Sequence, residues 1–588
     1  MNSDTELREE LRGHYTKQPQ KKKARKWPLV LVLILVGVIL ASGAALLLHK
    51  QKEPAKPSPD GELTHGVQLC YCAGLESSVP VYNKLGNEVG ELPRGSSVTV
   101  DLGDGVELDE GTIYPIKDSE SEYLMRENLS ATPEGVVPEG EIWVKTSMNL
   151  RTEADSLELT ALAMKGAKLT VIGYSGLHED GSVDMYKVQH DQIVGWLSPI
   201  YLTTDEKVAR NHYDEGGMIA NHLARGDLYG GGTAATLDYF PREKLVSETN
   251  IMPEHCYCLY LNCFPETIND VDSYIEYAKT TNINTFVVNI LDGTCVAYAS
   301  DVMRKYCPSA ADNAGSDFEV YKAAIQKIKD AGFYVVGRMT VFNDAFFAFD
   351  HPEYAITDAK GDPLEISGMY WPSGFSRVTW QYKVELAIEA VELIGFNEIQ
   401  FDYVRFPDGT YSFEKDNNIN YQNVYGETKA EANQRFLMYA CDEIHKAGAY
   451  VSADVFGETS NPYVASYGQY FPAVSNVVDV ISGMPYCDHY ESWGDYVPWL
   501  QPYECVNTWA EGVVSRQSEI PTPAIVRTWI QAYDAIRPPY NTYGPTELWA
   551  EISALLDNGL DGGFIPWNAG SSLEKYKSFR EAFDKLPA

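Results

Sequence analysis

From residue 254 onward the chain repeats one rhythm: short apolar runs rich in β-branched and aromatic residues, separated by longer stretches of helical period. The runs predict strands at Tyr257–Asn262, Thr285–Leu291, Tyr334–Val341, Glu398–Val404, Tyr450–Phe456, Val478–Met484, Ala524–Ile530 and Gly563–Pro566. Amphipathic helices are predicted over Phe318–Ala331, Val384–Ile394 and Ala430–Lys446; in the first, Val320, Ala324, Ile325 and Ile328 form one apolar stripe. Gly332, Gly395 and Gly448 stand between a helix and a strand, where a helix C-terminus favours a left-handed residue. Eight strands alternating with helices predict an α/β fold, a (β/α)₈ TIM barrel over 254–588. A doubly wound open sheet fits less well, because no glycine-rich nucleotide loop follows the first strand.

Before this region the period changes. Residues 148–202 carry short alternating runs broken by Gly, Asp and Ser, as in a small all-β barrel. Residues 66–130, with V-P-V-Y-N-K-L-G-N-E-V-G-E-L-P-R-G, look like a diverged copy. The expected boundaries are 66–130 and 140–203 for two β domains and 204–253 for a linker. Gly230-Gly231-Gly232 lies in that linker with no G-K-[ST] after it, so it is no phosphate loop.

Trp27 to Leu48 carries no charge and follows Lys21, Lys22, Lys23, Arg25 and Lys26. A helix of that length, at about 1.5 Å per residue, crosses a bilayer core. The basic flank keeps 1–26 cytoplasmic and places the remainder outside the cell, anchored by a single pass. A cleaved signal peptide is the rival, given Ala41-Ser42-Gly43-Ala44, but the apolar run continues past that point. Residues 49–65 then form a Pro-rich spacer.

Charge supports the outside location. Of a formal net charge of −36, residues 1–50 contribute +5, so the rest carries −41. Such a surface repels phosphates and argues against nucleic acid as a partner. The ten cysteines are compatible with disulfides, whose pairing the sequence leaves open. No spacing matches a zinc site, and no metal or other cofactor is expected.

Candidate chemistry follows from strand alternation. In E-I-Q-F-D-Y-V-R-F-P, Gln400 and Asp402 face the barrel axis, and Asp402 lies near the C-terminal end where barrel enzymes keep their active sites. Ser452 and Asp454 repeat the design on the next strand. Two carboxylates on adjacent strand tips suit glycosidic hydrolysis, one as proton donor and one as nucleophile or base. Candidate sugar contacts at other strand ends are Asn289, Arg338, Tyr403, Arg405, Tyr486, Trp529, Gln531, Trp567 and Asn568, with Asp292 just past the second strand. Arg338 is alternatively a neutralising partner for Asp402, and Arg405 a structural partner for a nearby carboxylate. Glu458 is the alternative acid to Asp454. Glu398, at the entry end of its strand, reads as a solvated edge residue. The long segment 343–376, with His351, Tyr370 and Trp371, is expected to form a wall or lid.

E-I-Q-F-D-Y-V-R-F-P-D-G resembles the signature of a bacterial family of glycoside-hydrolase-like TIM barrels. G-R-M-T-V-F-N-D (337–344), H-P-E-Y-A (351–355), G-M-Y-W (368–371), S-A-D-V-F-G (452–457), R-T-W-I-Q (527–531) and W-N-A (567–569) support it. The resemblance implies a barrel and a hydrolase, with Asp402 and Asp454 as site carboxylates. Pro372-Ser373-Gly374 departs from the family's tendency toward D-P there. Residues 148–202 resemble bacterial SH3-like domains through Asn149-Leu150-Arg151 and Gly195-Trp196-Leu197-Ser198 to Tyr201-Leu202. Such modules bind wall peptides or glycans, or space domains apart. The expected function is hydrolysis of cell-envelope or extracellular polysaccharide, peptidoglycan included, by a membrane-anchored enzyme. The rival is a wall-glycan binder that does not cut.

Overall fold

A computed structural model describes residues 63–586, except 118 and 120. The Trp27–Leu48 segment lies outside the described residues, and among the described residues no helix is long and apolar enough to cross a membrane. The chain divides into two compact units. The first comprises the described residues through Trp143 together with Lys168–Thr204; the second comprises Val144–Ala167 and Asp205 onward.

The first unit is antiparallel β. Val67–Cys72 pairs with Ser97–Asp101, Ser78–Tyr82 with Glu88–Pro93, and Lys168–Leu177 with Val183–His190, which pairs in turn with Ile193–Leu197. Arg94, buried, joins its two halves by donating to Tyr186 Oη (2.6 Å) and to the carbonyls of Gly74 (3.1 Å) and Gly181 (3.0 Å). With the Leu75 carbonyl (3.2 Å), four acceptors around one guanidinium offset the desolvation of the buried charge.

The second unit is built on a parallel barrel. Its strands are β1 (Cys256–Leu261), β2 (Thr285–Asp292), β3 (Tyr334–Thr340), β4 (Glu398–Asp402), β5 (Tyr450–Phe456), β6 (Val480–Met484), a divided β7 (Ile525–Val526 and Thr528–Gln531) and β8 (Gly563–Trp567). Neighbours pair in chain order, and β8 returns to β1 with Cys256 opposite Gly563. The two halves of β7 pair with different partners, Ile525–Val526 with β6 and Thr528–Gln531 with β8. Arg527 stands at the break, so the barrel is nearly closed rather than uniformly laddered. All eight predicted strands are present, with ends moved by at most a few residues.

Main barrel helices are α1 (Phe318–Asp330), α2 (Arg377–Glu389), α3 (Lys429–Lys446), α4 (Pro502–Gln517) and α5 (Pro545–Asp557). The stripe predicted on α1 is turned by one residue: Tyr321 is buried with Ala324, Ile325 and Ile328, while Val320 is 44% exposed. The tyrosine wins because its hydroxyl reaches the Asn289 carbonyl (2.8 Å), which satisfies its polar end in the core. α2 begins before the predicted Val384 and runs into a wider turn at Ala390–Ile394, ended by Gly395 at φ 96°.

Two segments that read as separate from the barrel pack within this second unit. The hairpin Met148–Arg151/Leu159–Ala163 is held to α2 and α3: Arg377 Nε donates to Asn149 Oδ1 (2.8 Å), Tyr439 Oη to the Leu157 carbonyl (2.8 Å), and Arg151 pairs with Glu443. The polar side chains of the Asn149-Leu150-Arg151 motif are therefore barrel contacts. Ile219, Ala234, Leu237 and Tyr239, in a region expected to be a linker, form a core with Ala430, Val464, Tyr470 and Ile520. Their apolar residues are spaced too irregularly among Gly and Asp to show a period.

Of the ten cysteines, Cys263 and Cys295 form a disulfide between the ends of β1 and β2. The other eight are buried thiols.

Candidate active site

The alternation of β4 decides what the barrel axis receives. Glu398, Gln400 and Asp402 point inward from bottom to top, while Ile399 and Phe401 pack outward. Asp402 pairs in register with Thr340 of β3. The strand stops there because Tyr403 adopts a left-handed conformation, φ 55°, which costs a side chain other than glycine about 1–2 kcal/mol. The turn lets the Tyr403 amide donate to Asp402 Oδ1 (2.6 Å).

Arg338, inward on β3 and 3% exposed, organises the floor. Its Nη2 donates to Asp402 Oδ2, and its Nη1 donates to Asn289 Oδ1 (2.9 Å) and lies 3.3 Å from Asp292 Oδ2. Its Nε is 3.5 Å from Asp454 Oδ2. One guanidinium therefore faces three carboxylates, which, with Tyr260, hold its proton more firmly although burial opposes the charge. Asn289, fully buried, passes its amide to Tyr260 Oη (2.7 Å) and Asp292 Oδ2 (3.2 Å).

Asp402 and Asp454 differ in access. Asp402 lines an open cleft of about 290 Å³ together with Asp292, Tyr403, Phe456, Tyr486, Trp529 and Trp567. The Asp454 side chain has no exposed surface. Trp529 Nε1 donates to its Oδ1 (2.8 Å), and its Oδ2 has no hydrogen-bond partner. Burial first, and then the charge of Asp402, push the Asp454 carboxyl well above the usual carboxylate range; Arg338 and Trp529 oppose this without cancelling it.

The aromatic residues fall into two groups. Tyr486, Trp529 and Trp567 form a wall, with Trp567 5.5 Å from Trp529 and 6.4 Å from Tyr486 between ring centres. Trp371 is 1% exposed and backs Tyr403 at 5.7 Å, so it supports the cleft from behind. Its segment, 343–376, contributes no residue to the cleft lining, so the expected wall or lid is not seen there.

Arg405 has no carboxylate partner, contrary to its expected structural role. It lies among the rings of Phe456 (4.3 Å), Tyr403 (4.7 Å), Trp371 (5.1 Å) and Tyr467 (5.8 Å), and donates to the Phe406 carbonyl (3.2 Å). Cation–π attraction from four faces replaces the ion pair and fixes the turn after β4. Gln531 and Asn568 are also structural. Gln531 accepts from the Asp488 amide (3.2 Å), and Asn568 donates to the Ser572 carbonyl (3.0 Å). Glu458 is exposed on the loop after β5 and accepts from Tyr463 and Tyr467, each at 2.9 Å.

Glu398 is not a solvated edge residue. It is fully buried and paired with Arg527 at 2.8 Å, with Tyr334 Oη 3.2 Å away. The alternation that brings Asp402 inside brings Glu398 inside as well, four residues lower. Arg338, Met484 and His489 complete the cleft lining. Asp292 was legible as the residue just past the predicted strand Thr285–Leu291; the strand itself extends to it.

At the C-terminal ends of its parallel strands the barrel thus gathers three carboxylates around one arginine, beside an aromatic wall. Residues 259–573 match the family described as "Putative glycosyl hydrolase domain", which covers more than half of the chain, and the chain belongs to that family. No protein of curated function matches it. Among solved structures, a hypothetical protein from Ruminiclostridium thermocellum is 29% identical over 34% of this chain and 97% of its own, with a TM-score of 0.28. The PgaB (BpsB) glycoside hydrolase domain from Bordetella bronchiseptica is 11% identical over 57% of this chain and all of its own (100%), TM-score 0.41. The β-amylase catalytic domain from Paenibacillus polymyxa is 14% identical over 57% and 99%, TM-score 0.37.

Proposed function

We propose that the protein is a glycoside hydrolase acting on cell-envelope or extracellular polysaccharide, with Asp402 as the carboxylate at the reacting carbon. The observation that carries this reading is the Asp402 carboxylate at the C-terminal end of β4, lining the cleft among aromatic rings and fixed in place by hydrogen bonds from Arg338 and the Tyr403 amide. A carboxylate so placed either attacks the anomeric carbon or activates a water against it. Asp454 keeps the proton that the leaving oxygen needs, and Asp402's own charge helps keep it there. Because Asp454 is covered, its proton reaches the substrate only when Trp529 or Arg338 moves; Glu458, exposed on the next loop, is the alternative acid.

The same burial of Asp454 favours a second reading, in which the cleft holds glycan without cutting it. Reducing ends released from purified envelope polysaccharide by wild type and by Asp402→Asn separate the two. Release by wild type alone supports hydrolysis. Silence from both, with glycan binding retained, supports the binder.

The setting we propose is outside the cell, on a single-pass anchor at Trp27–Leu48. The charge of −36 and the Cys263–Cys295 disulfide support an oxidising exterior. The β segments 66–130 and 140–203 are read as SH3-like modules that hold or space the enzyme at the wall. Protease protection of the tail in sealed vesicles checks the orientation; a tail cut from outside contradicts it.

A further inference from the structure

We propose that the cleft takes a glycan with cationic amino-sugar units, and that Asp292 is the carboxylate that receives the ammonium group. The inference rests on the reading of the cleft as a sugar site and adds the class of sugar.

The argument is the charge presented at the cleft surface. Arg338 is 3% exposed, and its Nη groups are committed downward and sideways to Asn289, Asp292 and Asp402. Two carboxylates remain at the surface. Asp402 is almost covered, its side chain 7% exposed, with Oδ1 and Oδ2 both accepting hydrogen bonds. Asp292 is the open one, its side chain 31% exposed. Its Oδ2 is engaged by Asn289 and Arg338, and among the described residues no hydrogen bond reaches its Oδ1. The cleft therefore offers a substrate an anionic oxygen without a donor.

A second observation points the same way. Arg338 Nε and Asp454 Oδ2, buried in the floor beneath, make no hydrogen bond. The one arginine there, 3.3 Å from Asp292 Oδ2, is shared with Asp402 and Asp454, so a single cation faces three carboxylates. Arg405 does not supply a second, since it is boxed among four rings and is absent from the cleft lining. The rings of Tyr403, Tyr486 and Trp567 line the same cleft; Arg405 lies over Tyr403 (4.7 Å) and Arg338 over Trp567 (5.6 Å), and aromatic rings favour a cation as well as the apolar face of a sugar. A neutral sugar would use Asp292 only as a hydroxyl acceptor. An ammonium would use its charge, its open lone pairs and the rings together. A carboxylated sugar would meet repulsion.

The test is calorimetric titration of the full-length protein with a chitosan tetramer, whose units carry free amines, and with the matching chitin tetramer, whose amines are acetylated. One ion pair at this exposure predicts about tenfold tighter binding of the chitosan tetramer at low salt. That preference shrinks as salt is raised, and it disappears in Asp292→Asn. Equal affinity for the two tetramers, binding of neither, or a preference that survives in Asp292→Asn overturns the proposal. If Asp292→Asn does not fold, the salt dependence of the wild-type preference decides, and a salt-independent preference overturns it. Tight chitosan binding without release of reducing ends would remove the hydrolase reading and leave this one standing.

Discussion

The two ends of β4 carry the same chemistry to opposite purposes. At the bottom, Glu398 meets Arg527 one to one, both fully buried, with Tyr334 alongside. At the top, four residues on, Asp402 shares Arg338 with Asp292 and Asp454, and the cluster opens into a cleft. Burial of an ion pair costs desolvation at either end, and a matched pair recovers it only with good geometry. The bottom pair is balanced and sealed, so its role is to close the barrel where β7 breaks at Arg527. The top cluster is unbalanced, with three acids to one base. Burial first, and the charge of Asp402 second, displace the Asp454 carboxyl upward from its usual range, which a matched cation would have prevented. A buried charge therefore signals function when its partners fail to match it, and not merely because it is buried.

The comparison can be broken first at the top. Asp402→Asn is expected to lower hydrolysis by a factor of at least about 10²–10⁴ while the fold melts as a cooperative unit, since the side chain keeps its shape. Kinetics on released reducing ends, with a thermal melt alongside, check this. Glu398→Ala should do the reverse. It strands a fully buried Arg527 and should cost about 3–5 kcal/mol of stability, measured by denaturant unfolding of the C-terminal transition. The protein that remains folded should keep its cleft.

Next is a pH test of the imbalance. The Asp454 carboxyl is raised in the folded state, so the native protein binds a proton that the unfolded chain has already lost. Its contribution is present in full below the ordinary aspartate range and is lost as pH rises from there through the raised folded value. Melting of wild type and Asp454→Asn across that window should show the wild type falling relative to the variant. Parallel curves would mean that Asp454 is ionised in the fold. The smallest effects belong to the backbone. Gly395→Ala places a side chain at φ 96° with Lys329 Nζ 3.1 Å from the new Cβ, and about 1 kcal/mol of destabilisation is expected in a melt.

Much of this was legible in the sequence. Period and length fix the eight strands, because parallel barrel strands are buried on both faces and read as continuous apolar runs. Alternation then places Asp402 and Arg338 at the axis. The same rule applied to Glu398 gives the right answer, but its position at the strand entry suggested solvent. What closes the bottom of the barrel is Arg527, 129 residues away, and no local pattern announces such a partner. Arg405 likewise needed Trp371, Phe456 and Tyr467, which arrive from distant segments to join Tyr403 around it. The burial of Asp454 could not be read at all, since Trp529, which covers it, arrives from β7. Asp292 was visible one residue past its predicted strand, but only the shared guanidinium gives it a role.

The most direct test of the central claim is the release of reducing ends from purified envelope polysaccharide by wild type, Asp402→Asn and Glu398→Gln, each compared at equal folded concentration. The account predicts release by wild type and by Glu398→Gln, and none above background from Asp402→Asn. Release by Asp402→Asn at the wild-type rate would contradict it, because the open end of β4 would then carry no chemistry.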